Sequence, residues 1–326
     1  MGEFDLIDRF FRASAARGPH RAALGIGDDC ALLAPAPGMQ LAVSSDMLLE
    51  GRHFLPGADP RRLGHKSLAV NLSDLAACGA RPLAFTLALA LPRADEDWLR
   101  GFSEGLFALA GKHDCELVGG DTTRGPLAIC ITVFGEVPAG QALLRSGARA
   151  GDDIHVSGTL GDARLALDVL QGKASAPGPL LAFAQARMDM PTPRVALGQA
   201  LRGLATSAID VSDGLLGDLG HVLRASRVGA TIDAAQAITL SGARLEGLPG
   251  LPSDDVLLGH VLAGGDDYEL AFTAPAARRA DVERAAAAAA TRVTRIGRIE
   301  AAGGLRVVDA QGRDLPASWN SFDHFG

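Results

Sequence analysis

Six short words in this chain set aspartate beside glycine or serine, most of them at the end of an apolar run: GIGDDCALL, LAVSSDMLL, AVNLSDLAACGA, LVGGDTTRG, AIDVSDGLLGDLG and AGGDDYELAF. Apolar runs become buried strands and helices, so these words hold acid at the margins of a core. Any one of them alone is ordinary turn or cap chemistry, because short polar side chains bond nearby N–H groups and glycine supplies positive φ. Six at run ends are harder to explain that way. They fit a site for several cations. Mg²⁺ takes oxygen ligands in octahedral geometry, keeps several waters, and is usually held by a few carboxylates while substrate phosphates complete its shell.

A length of 326 residues favours two domains, each able to bury its own core. Hydrophobic residues make up 48% and charged residues 21%, well away from the disordered range. A formal net charge of −7 with no dense Lys/Arg run argues against a nucleic-acid binder. An anionic ligand would therefore arrive with cations. The four cysteines, Cys30, Cys78, Cys115 and Cys130, form no C-x-x-C pair, so neither a zinc ribbon nor a redox dithiol is expected. No basic segment followed by an apolar stretch opens the chain, and no window approaches the roughly 20 apolar residues of a membrane helix. The reading is a cytoplasmic protein with no membrane partner.

Strand and helix signals alternate. FDLIDRFFR has helical spacing, LAVSSD reads as a strand, and helical spacing resumes through RRLGHKSLAVNLSDLAACGA. LAFTLALALP is a strand, residues 95–113 a helix, and CELVGG and LAICITVFGEV are strands. The turn-rich VPAGQALLRSGARAGDD then divides two α/β patterns, giving an N-terminal domain over 1–145 and a C-terminal domain over 146–326. In the second, IHVSG, SAIDVSD, ATID and YELAFTA read as strands. DARLALDVLQ, GLLGDLGHVLRAS and DVERAAAAAATR read as helices, with another after TPRV, and GKASAPGPL as a surface loop. The acidic words are expected to follow strands, where ligands collect in α/β sheets. NLSDLAACGA and DVSDGLLGDLG share an SD-then-helix pattern, a trace of similar halves.

GIGDDC is a poor dinucleotide fingerprint, since Cys30 replaces the third glycine and no good strand precedes it. No G-x-x-x-x-G-K-[ST] word occurs, and the H-R-D and D-F-G words of protein kinases are missing too. What remains has a family pattern. GIGDDCALL, VSSDMLLEGRHF, HKSLAVNLSDLAACGARP, LVGGDTTRGPL, LLRSGARAGD, PTPR, AIDVSDGLLGDLGH, GGDDYEL and WNSFDHF, in this order and spacing, resemble the thiamine-monophosphate kinase family. Its members are the ATP-dependent kinases of the aminoimidazole ribonucleotide synthetase superfamily. NLSD is shared across the superfamily, whereas EGRHF, GGDTTRGPL and WNSFDHF are specific to this family.

The resemblance implies a two-domain α/β (α+β) fold whose N-terminal domains pair in a homodimer, with ATP near the dimer interface. The implied reaction moves the γ-phosphoryl of ATP onto thiamine monophosphate, the last step of thiamine diphosphate synthesis. A phosphate with a second pKa of about 6 is already an anion at neutral pH and needs no general base. The obstacle is repulsion between two phosphate-bearing substrates, which several magnesium ions relieve.

Carried over by resemblance, the metal ligands are Asp29, Ser44, Ser45, Asp46, Asp74, Asp121, Asp210 and Asp213, with Asp74, Asp121 and Asp213 central to catalysis. Nucleotide contacts fall on Gly120, Asp121, Arg145 and Ser212; the guanidinium of Arg145 suits bidentate phosphate contact. Thiamine contacts fall on His53, Asp266 and Trp319. Trp319 would stack on a cationic ring or else close the C-terminal core. Relatives carry Ser-Thr-Asp where this chain has Ser44-Ser45-Asp46, and glutamate at Asp266, a difference of one methylene.

Two superfamily alternatives are disfavoured. Selenide chemistry calls for an early Cys with a nearby Lys, and no Cys precedes Cys30 and no Lys precedes Lys66. Hydrogenase maturation calls for a C-terminal Cys, and the sequence closes on FDHFG. A non-catalytic sensor of thiamine phosphates is the alternative from another class, and product formation separates it from a kinase.

Overall fold

The computed structural model describes residues 2–18, 20–27, 29–315 and 319; Asp28 of the GDD word and all of WNSFDHF after its tryptophan lie outside the described residues. The chain forms two compact units, Met1–Leu75 with Ala80–Gly140, and Ala76–Gly79 with Gln141–Gly326.

The first unit opens on a helical segment whose middle, Ile7–Arg12, is a wider π turn that buries Phe10 and Phe11. Four strands follow, β1 (Met39–Leu49), β2 (Arg81–Leu91), β3 (Glu116–Arg124) and β4 (Ala128–Pro138), with helices α1 (Pro60–Ala77) and α2 (Glu96–Lys112). The sheet order is β1-β4-β2-β3. β2 and β3 are parallel, as a strand–helix–strand crossover through α2 requires, and the other pairs are antiparallel. Helix α2 starts where Asp95 accepts the N–H groups of Asp97 and Trp98, a cap worth about 1 kcal/mol.

Alternation along β1 divides the sheet into two faces. Ile129, Ile131 and Val133 of β4, with Phe85, Leu87 and Leu89 of β2, are buried, as are Leu68, Leu72 and Leu75 of α1 and Leu99, Phe102 and Leu106 of α2. On the opposite face of β1, Leu41, Val43, Met47 and Leu49 are 38–56% exposed. The two helices meet backbone to backbone. A Cβ on Gly64 would lie 2.0 Å from the Phe102 carbonyl oxygen, and one on Gly105 would lie 1.8 Å from that of Arg61. Helix α1 can lie this close to α2 only because both positions are glycine.

The second unit is a six-stranded sheet in the order β10-β7-β9-β5-β8-β6. Its strands are β5 (Asp152–Ser157), β6 (Ser207–Val211), β7 (Gly229–Asp233), β8 (Glu269–Pro275), β9 (Val293–Glu300) and β10 (Gly304–Val308). Only β10 and β7 pair in parallel. Its helices are α3 (Asp162–Leu170), α4 (Gly178–Asp189), α5 (Val195–Ala200), α6 (Leu215–Ser226), α7 (Asp254–Ala263) and α8 (Arg279–Ala288). The main core joins Ile154, Val156, Ile209 and Val211 of the sheet to Leu215, Leu219 and Val222 of α6 and to Leu258, Val261 and Leu262 of α7. A smaller core lies where α3 meets α4.

Several expectations change. The stretch read as a surface loop, GKASAPGPL, runs into α4, whose first turn is set by Pro179. Helix α7 and strands β9 and β10 are additions to the expected elements. Acidic words do not regularly follow strands: Asp46 and Asp121 lie inside β1 and β3, Asp74 lies inside α1, and only Asp213 directly follows a strand. The two SD words also differ in kind. Ser73-Asp74 is in mid-helix, whereas Ser212-Asp213 precedes α6, so the shared spelling marks no structural repeat.

Burial of charge ties the second unit together. Glu269, with no exposed surface, receives Arg187 at 2.9 Å, the Nε of Arg194 at 2.6 Å and the Ser157 hydroxyl at 2.6 Å. Arg194 belongs to the PTPR word, so that word anchors a loop to the sheet. His155 is buried against the Phe272 ring at 5.2 Å, and its Nε2 has no hydrogen-bond partner among the described residues. Burial, opposed by Asp153, lowers its pKa from 6.5 to about 4.

Two tests follow from this packing. Gly105→Ala should cost about 3 kcal/mol in a urea titration, since its methyl meets rigid backbone rather than a flexible side chain; unchanged stability would refute the close crossing. His155 is neutral when folded and takes a proton when unfolded below pH 6.5. Its contribution is therefore complete above pH 6.5 and is lost as pH falls toward 4, by on the order of 3 kcal/mol. His155→Phe should flatten that acid limb, and parallel stability–pH curves for the two proteins would contradict it.

Candidate functional site

In the first unit the sheet register sorts the proposed ligands by face. Ser44 pairs with Val133 and Asp46 with Ile131, so both side chains leave β1 on the face that carries the core. Asp74 of α1 meets that face, and the Ser44 hydroxyl donates to its Oδ2 at 2.5 Å. Asn71, one helical turn before Asp74, accepts the Asp46 backbone N–H at 3.1 Å and donates to the Ser67 carbonyl at 3.0 Å. The NLSD word thus docks α1 onto β1 through Asn71 and presents Asp74 to the strand. Asn71 was not singled out from sequence, although its place in that word was the available signal.

Ser45 leaves β1 on the other face. Its hydroxyl lies 2.9 Å from that of Thr132 and donates to the Ile131 carbonyl at 3.2 Å. Asp121 is exposed on β3, in the register row of Ala88, Cys130 and Met47, which is the Ser45 face. The side chains of Ser44 and Asp74 are therefore brought together, while those of Ser45 and Asp121 lie across the sheet from them. Gly120, beside Asp121, has φ +147°, and a Cβ there would lie 1.9 Å from the Leu87 carbonyl oxygen. Only glycine lets β3 pass β2 at this point. Asp29 is exposed in a bend. His53 accepts the Leu49 N–H at Nδ1 (3.0 Å), so the neutral ring carries its proton on Nε2.

In the second unit Asp210 is buried on β6, and Ser212 and Asp213 form the turn into α6. Asp266 joins them, its N–H donating to the Ser212 carbonyl at 2.7 Å. Asp266 and Tyr268 both adopt positive φ, +64° and +53°, which non-glycine residues rarely do. Such strain persists where surrounding structure over-determines it, commonly at functional loops. Arg145 is exposed; its carbonyl accepts the Ser226 hydroxyl at 3.2 Å, and that hydroxyl accepts the N–H groups of Gly147 and Ala148. His221 of α6 lies between the charges: burial, Arg224 and Arg145 lower its pKa while Asp213 opposes them. Trp319 is half-buried and packs on the main core, 3.5 Å from where a Gly259 Cβ would stand.

Asp218, in the first turn of α6, also escaped the sequence reading. Burial, with Asp213 nearby, raises its pKa to about 7, although three backbone N–H groups pull the other way. The GLLGD spacing, an acid in the first turn of a helix, was the available signal.

Among the described residues, no group of three or more His, Cys, Asp and Glu side chains forms a ready-made metal cage. Magnesium does not require one, because it keeps waters and takes the rest of its shell from a carboxylate or two and substrate phosphates. The donors here are carboxylate and hydroxyl oxygens throughout, the hard chemistry that Mg²⁺ prefers. On that ground the residues fit the ion.

The family "AIR synthase related protein" matches through its N-terminal domain at residues 27–137 and its C-terminal domain at residues 139–310. The chain is 45% identical to the thiamine-monophosphate kinase of Salmonella typhimurium, over 99% of this chain and 98% of that one. It superposes on the crystal structure of thiamine-monophosphate kinase from Stenotrophomonas maltophilia with a TM-score of 0.85 and 47% identity, covering 97% and 98% of the two chains. A structure of AaThiL complexed with AMPPCP and TMP matches with a TM-score of 0.75 and 29% identity, covering 99% and 97%. On these likenesses, which span nearly the whole length of the molecule, the chain belongs to the thiamine-monophosphate kinase family of AIR synthase-related enzymes.

Proposed function

We propose that this chain transfers the γ-phosphoryl group of ATP directly and in line onto the phosphate of thiamine monophosphate, with several Mg²⁺ ions, releasing thiamine diphosphate and ADP. One observation carries the reading: the oxygen donors described above occur in a chain 45% identical, over 99% of its length, to a thiamine-monophosphate kinase. The AaThiL relative bound to AMPPCP, an ATP analogue, and to TMP supports the same pair of substrates.

Asp29, Ser44, Ser45, Asp46, Asp74 and Asp121 of the first unit, and Asp210 and Asp213 of the second, are assigned to magnesium. The ions would supply charge neutralisation between the phosphates, the largest requirement of the reaction. Asp74 is held toward β1 by Ser44, so its carboxylate is oriented before substrate arrives. Gly120, Asp121, Arg145 and Ser212 are assigned to the nucleotide, with the guanidinium of Arg145 binding phosphate oxygens. His53 and Asp266 are assigned to thiamine monophosphate. The ring of His53 is oriented by the Leu49 N–H at its Nδ1. Trp319 is assigned a thiamine contact through whatever edge its core packing leaves exposed. Dependence on ATP and four free cysteines agree with a cytoplasmic reaction.

We assign the exposed face of β1 to a homodimer. Leu41, Val43, Met47 and Leu49 make an apolar row that a second copy would cover through a two-fold, self-complementary contact.

Incubation with ATP, Mg²⁺ and thiamine monophosphate should yield thiamine diphosphate and ADP one to one by chromatography, and none with EDTA. Asp74→Asn should lower turnover about 100-fold. Near-wild-type turnover of that variant at saturating magnesium would sink the assignment, and ADP without thiamine diphosphate would move the reading to another acceptor. Wild-type protein should sediment as a dimer and Val43→Glu as a folded monomer; a variant that remains dimeric would remove β1 from the interface.

A further inference from the structure

The turn from β6 into α6 is gripped from both sides. On one side Asp218, only 4% exposed, accepts three successive backbone N–H groups on the single oxygen Oδ2: Ser212 at 3.0 Å, Asp213 at 3.1 Å and Gly214 at 3.1 Å. Successive N–H groups converging on one point form a nest, which ordinarily attracts a phosphate or other anion. Here the chain's own carboxylate fills it. On the other side the Ser212 carbonyl accepts Asp266 N–H at 2.7 Å and the Val211 carbonyl accepts Tyr268 N–H at 2.9 Å. Gly214, at φ +115°, leaves no room for a Cβ, which would come 2.9 Å from the Ala263 backbone.

Both the donor and the acceptor edges of residues 211–214 are therefore specified, and with them the directions in which the Ser212 and Asp213 side chains leave the backbone. A carboxylate is an expensive way to do this among the apolar neighbours Leu215 and Leu219. An apolar residue would leave three N–H groups unsatisfied, and a longer acid would misplace the acceptor.

We propose that Asp218 is a positioning residue for phosphoryl transfer, fixing the Ser212 hydroxyl and the Asp213 carboxylate by holding their backbone N–H groups at one oxygen. The proposal rests on the reading of Asp213 as a magnesium ligand and Ser212 as a nucleotide contact. Asp218 acts through these two residues, and what it supplies is acceptor geometry rather than charge. An asparagine whose Oδ1 takes the place of Oδ2 can accept the same three bonds.

The test compares Asp218→Asn, Asp218→Glu and Asp218→Ala with wild type. Its readouts are the turnover number, the magnesium concentration for half-maximal rate, thermal midpoint, and hydrogen exchange at the amides of residues 212–214. Asp218→Asn should stay within about threefold of wild type in turnover and magnesium requirement and keep those amides protected. Asp218→Glu and Asp218→Ala should lose protection there, with turnover or magnesium affinity down about 10–100-fold, as for the supporting partners of other metal sites. If Asp218→Ala does not fold, the Asn and Glu variants decide. An asparagine variant as impaired as the glutamate one would overturn the proposal by showing that charge matters. So would variants that lose thermal stability while keeping the wild-type magnesium requirement, which would make the role structural only. Failure of wild type to form thiamine diphosphate would instead defeat the functional reading itself. In that event the exchange data alone report whether Asp218 holds the turn.

Discussion

A carboxylate taken out of water must find donors, and that requirement organises both units of this protein. Glu116 on β3 accepts the N–H groups of Arg21 and Ala22, and Glu136 on β4 accepts that of Ala36 while pairing with Arg81. Each acid pins a loop from the first forty residues to a sheet assembled about a hundred residues later. In the second unit Asp162 binds the N–H groups of Gly242 and Ala243, Asp267 binds that of Gly161, and Glu269 gathers two arginines. Breaking such a buried pair by removing one partner costs about 3–5 kcal/mol, so these contacts specify loop positions that apolar packing alone would leave open.

The candidate site uses the same physics for a different end. Asp74 is turned toward β1 by the Ser44 hydroxyl, and the backbone of the Ser212-Asp213 turn is held by Asp218. In the proposed reaction both substrates carry phosphate and the attacking oxygen is already an anion, so the role given to these acids is to hold cations that offset the repulsion.

Strands β1 to β8 and helices α1, α2, α3, α5, α6 and α8 were legible, because apolar periods of 2 and 3.6 residues and cap residues such as Asp95 are local signals. Helix α4 was missed because GKASAPGPL is spelled like a loop up to the residue where the helix starts. Strands β9 and β10 are half-polar, with Arg295, Arg298 and Arg306 exposed on them. Their exposed arginines mask the β-branched pattern, and their partners β7 and β5 come from distant parts of the chain. Of the candidate site, the acidic words were visible, but Asn71 and Asp218 were not, since each acts on backbone in another segment or turn.

Residue types and their order were enough to determine the α/β class and the family, and they supplied the oxygen donors proposed for the site, because these follow from local pattern and spelling. Only the tertiary structure decided which donors face each other. Ser44 and Ser45 are neighbours in sequence, yet the pleat of β1 sends one toward Asp74 and the other to the opposite face. Asp121 joins the Ser45 face only because a register shift in β2–β3 pairing falls before it. Strand register and the donors of a buried carboxylate are set by contacts between segments far apart in the chain, and no local period encodes them.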